Sequence, residues 1–140
     1  MQYGFTIGLK NKILNDNLYN NDDFESKPLY IGLFISEGQP SEVPVELNID
    51  PTGTGYERAE VRFGPAHDGI IENIAEVSFP TAKADWTSSA EKIFAIGIFT
   101  SPEEDIADSC IVYLPLSESE EVLIGEKFVL NPNSIRLQLA

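Results

Sequence analysis

The run Lys92 to Thr100, KIFAIGIFT, most narrows what this chain can become. Read with a period of two, it puts Phe94, Ile96 and Ile98 on one face and Ile93, Ala95 and Phe99 on the other. A strand that is apolar on both faces must be covered on both, so this one is central to the fold and Phe94 is expected in the core. Gly97 opens a gap in one face, where a large side chain or another backbone can approach closely. Upstream, Ala75, Val77 and Phe79 alternate with Glu76 and Ser78 as in a half-buried strand, which Pro80 stops by removing a ladder donor. Between the two strands lies a polar crossing that carries the only tryptophan, Trp86, beside Asp85.

The rest of the chain supplies partners for that strand. Leu9, Ile13, Leu14 and Leu18 fall at helical spacing, so a helix is expected over about 7–19, capped by Thr6 and ended by the Asn/Asp-rich NDNLYNNDDF. Leu29 to Ser36, LYIGLFIS, is a second strand apolar on both faces. Residues 37–55, with Gly38, Pro40, Pro44, Pro51, Gly53 and Gly55, read as loop holding at most a short edge strand. Tyr56 to Phe63 reads as a strand with Ala59, Val61 and Phe63 inward and Arg58, Glu60 and Arg62 outward for cross-strand pairing. GPAHDG at 64–69 and NPNS at 131–134 are turns. SPEEDIADS is an acidic connection, and Cys110 to Leu116 is a strand ended by Pro115 and SESEE. Val122 to Leu130 is a strand interrupted at Gly125, and Ile135, Leu137 and Leu139 alternate in a last strand. Short strands without a βαβ rhythm predict an all-β antiparallel β-sandwich, jelly-roll-like, with one short N-terminal helix and a single domain over 1–140.

Charge and composition exclude several function classes. A net charge of −14, with 9 basic and 23 acidic residues, repels nucleic-acid phosphates and anionic membrane surfaces, so neither partner is expected. No apolar run approaches the roughly 20 residues that span a bilayer. MQYGFTIGLK lacks the basic region and apolar block of a secretory signal, so no targeting segment is expected. The single cysteine, Cys110, sits in the apolar run CIVYLPL and reads as a buried small hydrophobe.

The motifs that carry chemistry are missing from the sequence: it has no GxGxxG, no GxxxxGK[ST], no HExxH and no GxSxG. His67, the only histidine, lies in a turn without a serine or cysteine neighbourhood. Glu103, Glu104, Asp105 and Asp108 are oxygen-rich, yet they lack the alternating spacing and glycine of a calcium loop, so a solvated acidic turn is expected. No catalytic, cofactor-binding or metal-binding residue is nominated. The candidate ligand or interface residues are Tyr56, Asp85 and Trp86: aromatics beside carboxylates can stack on sugar rings while the carboxylates bond hydroxyls. The competing reading has Trp86 plug one end of the sandwich with Tyr56 packed over it.

The ordered blocks LYIGLF (29–34), GTGYERAEVRF (53–63), AEVSFPTAKADW (75–86), KIFAIGIFTS (92–101), IVYLPL (111–116) and IGEKFVL (124–130) resemble a group of small tailed-bacteriophage proteins, usually labelled tail-fibre, head-decoration or minor structural proteins. The resemblance runs from about Leu9 to Leu139. Thr87 follows Trp86 where that group often has glycine, and PEEDIAD replaces its paired glycines after the "GIFD"-like strand; both changes fall in loops. The resemblance implies a virion building block, assembled in the host cytoplasm, that docks on other virion proteins as a homo-oligomer or within a symmetric assembly. It implies no enzyme activity and no cofactor. Its expected site is the tail, a fibre or adaptor, or the capsid surface. The alternative is a carbohydrate-binding module that recognises host-surface glycans through its loops, and a hydrolase has the least support.

Overall fold

The computed structural model describes residues 4–37 and 45–139, so Gly38, Pro40 and Pro44 of the expected loop lie outside the described residues. In chain order the elements are α1 (Ile7–Leu18), β1 (Tyr30–Glu37), β2 (Val45–Glu46), β3 (Ala59–Glu60), β4 (Ile70–Glu72), β5 (Val77–Ser78), β6 (Glu91–Phe99), α2 (Ile106–Ser109), β7 (Cys110–Glu120), β8 (Val129–Leu130) and β9 (Arg136–Gln138). β6 lies between β1 and β7 in a five-stranded antiparallel sheet ordered β2-β1-β6-β7, with β3 also paired to β1. Two smaller antiparallel pairs, β4-β9 and β5-β8, complete an all-β, sandwich-like architecture with, among the described residues, one helix longer than a single turn.

The main core lies on one face of the large sheet. Ile31, Leu33, Ile93, Ile96 and Ile98 from that sheet pack in one cluster with Val61, Phe63, Ile71, Val77, Phe79, Phe128 and Ile135. α1 joins the cluster through Leu14 and Leu18, and Thr6 caps it by accepting a hydrogen bond from the Leu9 N–H at 3.1 Å. Two asparagines on α1 fix the neighbouring hairpin: Asn11 accepts from Gly69 N–H and Asn15 from Ala66 N–H, each at 2.7 Å. That hairpin turns at Asp68 and Gly69, whose φ values of 53° and 76° suit a primed turn.

A second, smaller cluster occupies the opposite face: Phe34, Ala95 and Phe99 are buried, with Tyr30, Phe94, Ile106 and Cys110 packed around them. Both faces of β1 and β6 are therefore used, as their composition requires. The face assignment departs from strict alternation, however. β1 and β6 pair as Phe34↔Ala95 and then Ile35↔Ile93, so Phe94 is an extra residue in a bulge. The bulge puts Ile93 on the face of Ile96 and Ile98, and it leaves Phe94 half-buried at the margin of the second cluster, not in the core.

Other expectations are corrected by pairing and burial. The strand expected over 56–63 is reduced to β3, with one isolated bridge at Tyr56 and two at Phe63. β7 does not end at Pro115 but runs on to Glu120, because an edge strand tolerates the missing proline donor. β4 and α2 form where the sequence reading placed no element. Cys110 is half-buried, its Sγ donates to the Val112 carbonyl at 3.4 Å, and burial raises its thiol pKa.

Candidate functional site

Tyr56 and Trp86 do come together. Their rings meet edge to face with centroids 5.4 Å apart, and Tyr56 stacks on Phe79 at 6.4 Å. Tyr56 is fully buried and Trp86 is 4% exposed, so neither ring presents a face at the surface. Trp86 is fixed by its indole N–H, which donates to the Thr54 carbonyl at 2.8 Å, and by its backbone N–H, which donates to the Val122 carbonyl at 2.9 Å. Asp85 remains exposed, and its Oδ1 accepts from the Ile124 N–H at 2.8 Å, holding the turn that Gly125 completes at φ 86°. The crossing between β5 and β6 is thus clamped between the 50–56 loop and the 122–126 turn.

The Tyr56 hydroxyl reaches away from this end toward a buried polar group. It donates to Glu46 Oε2 at 2.7 Å and accepts from the Leu33 N–H at 2.9 Å. Glu46 also receives both arms of the Arg58 fork: Nε donates to Oε2 at 2.9 Å and Nη2 to Oε1 at 2.7 Å. Arg58 then reaches two carbonyls of the acidic connection, Ser101 through Nη1 at 2.8 Å and Glu104 through Nη2 at 2.7 Å. The Arg58 and Glu46 side chains are only 2% and 10% exposed. Burial, followed by the charge of Glu46 and the hydrogen bond to it, raises the Tyr56 pKa well above its ordinary value.

Sequence alternation assigned Arg58 to an outward row suited to cross-strand pairing. It does point away from the main core, but the far face of this sheet is also apolar, so the side chain lands on Phe99 instead of in water. The signal was present in the two-faced strands 29–36 and 92–100, which leave the outward residue just before β3 with nowhere polar to go. Chemically the cluster is a closed lock: its donors and acceptors are directed at one another and at backbone carbonyls. Among the described residues, no buried side-chain nitrogen or oxygen lacks a hydrogen-bond partner.

The remaining sequence candidates stay apart. His67 lies on the surface hairpin, with Nε2 3.2 Å from Asp68 Oδ2 and both side chains solvated. Glu103, Glu104, Asp105 and Asp108 are exposed, and among the described residues no group of three His, Cys, Asp or Glu side chains is placed to hold a metal ion. Large apolar side chains are also held at the surface: Phe5, Ile7 and Leu9 at the start of α1, Ile111 and Tyr113 on β7, and Ile124 in the turn.

The family model described as podophage GP4 fiber I protein gp80 matches residues 4–138 of the chain. No curated protein matches it.

Proposed function

The chain belongs to the family of podophage GP4 fiber I protein gp80, and from that premise we propose that it works in a virion fibre by docking onto other virion proteins. Of the locations left open by the sequence, the family's own description supports the fibre over the capsid surface. The role is passive: a rigid sandwich-like body offers its outer shape and carries out no reaction. The observation that carries this reading is the division of labour among the side chains. Tyr56, Glu46, Arg58 and Trp86 are spent on internal bonds, while Ile7, Ile111, Tyr113 and Ile124 are kept at the surface, where apolar side chains serve protein contacts. Homo-oligomerisation belongs to the same reading, because fibres are built from symmetric copies.

The test is to purify particles, identify their proteins and map the chain in particle density. It is expected at a fixed copy number in a fibre, touching at least one other virion protein. Its absence from purified particles would remove the reading. A glycan array with the isolated chain checks the receptor-binding alternative. Glycan binding that is lost on Asp85→Ala, in a protein that keeps its fold, would replace docking with host recognition.

A further inference from the structure

We draw no further inference here: the strongest candidate, the uncharged outer edge of β7 over 110–117 with the apolar groove that Ile13, Leu18, Leu137 and Leu139 form beside it, carries nothing, because nothing in the structure shows what covers it.

Discussion

The Arg58 guanidinium carbon sits 3.6 Å from the centre of the Phe99 ring. This contact closes the second face of the large sheet. The cation lies over an aromatic face, its fork takes both oxygens of Glu46, and its remaining donors hold the Ser101 and Glu104 carbonyls of the connection before α2. One side chain therefore supplies charge, shape and a tether, a combination that lysine cannot reproduce.

Removing one partner of this pair leaves the other buried and uncompensated. Arg58→Ala and Glu46→Ala are each expected to cost about 3–5 kcal/mol in urea unfolding. Replacing both with apolar residues of similar volume should cost less than either single change. A double change that is simply additive would mean that the two charges do not depend on each other.

Gly32 and Gly97 face each other across β1 and β6, and together they make room for the second cluster. A Cβ on Gly97 would lie 2.6 Å from Phe34 Cε2 and 2.9 Å from Phe99 Cε2; one on Gly32 would lie 2.5 Å from Phe99 Cε2 and 2.7 Å from Glu46 Oε2. Gly97→Ala is therefore expected to destabilise by about 1–3 kcal/mol, with the aromatic near-ultraviolet signal changed. Gly8→Ala, in the first turn of α1 where an added Cβ would lie 4.0 Å from Thr6 Oγ1, should instead stabilise by about 0.5–1 kcal/mol, because glycine is a poor helix former. Thermal or urea unfolding of both variants checks the opposite signs.

The gap at Gly97 was visible in the sequence because a glycine within an apolar run has few other uses. The helix start at Thr6 and the two-faced strands were visible for similar local reasons. The bulge at Phe94 was not, since one extra residue in a ladder is decided by the pairing partner and leaves the composition unchanged. It follows that Phe94→Ala should cost clearly less than Phe34→Ala, for which about 3–5 kcal/mol is expected of a fully buried ring. The Arg58 lock was hidden because the outward row was read as pairing across neighbouring strands, whereas Arg58 pairs with Glu46 under Phe99. β4 and α2 were hidden because elements of one turn or three residues are set by neighbours and not by periodicity.

The raised pKa of Tyr56 has a readable consequence at high pH. In the unfolded chain a tyrosine ionises near pH 10, while in the fold burial and Glu46 keep this hydroxyl protonated. Above that pH the unfolded state holds fewer protons than the folded one, so stability falls as pH rises. The contribution is whole below about pH 10. Ultraviolet titration should show Tyr56 ionising only as the protein unfolds. Tyr56→Phe should abolish that late step. Ionisation of every tyrosine with the fold intact would contradict the burial described here.

Asn73 ties the two small strand pairs together. Its Nδ2 donates to the carbonyls of Ala75 and Asn131 at 3.0 Å each, and its Oδ1 accepts from the Ile135 N–H at 2.8 Å. The side chain is fully buried between the end of β4 and the start of β5, and its partners at 131 and 135 flank the passage from β8 to β9. One amide thus spans both pairs, and it needs a donor on one side and an acceptor on the other. Asn73→Ala takes the side-chain partner from the Ala75 carbonyl and the Ile135 N–H, each worth about 1–3 kcal/mol if it stays dry, while the Asn131 carbonyl still accepts from the Ser134 N–H and hydroxyl. Asn73→Asp keeps the shape but turns a carboxylate oxygen toward two carbonyls, so it should be at least as damaging at neutral pH. Its cost should shrink as pH falls below about 4, because protonation restores a donor. Hydrogen exchange should show β5 and β9 losing protection together in both variants while β6 keeps its own. Loss of protection spread evenly over β6 as well would mean that Asn73 supports the whole sandwich instead of the junction between its small sheets.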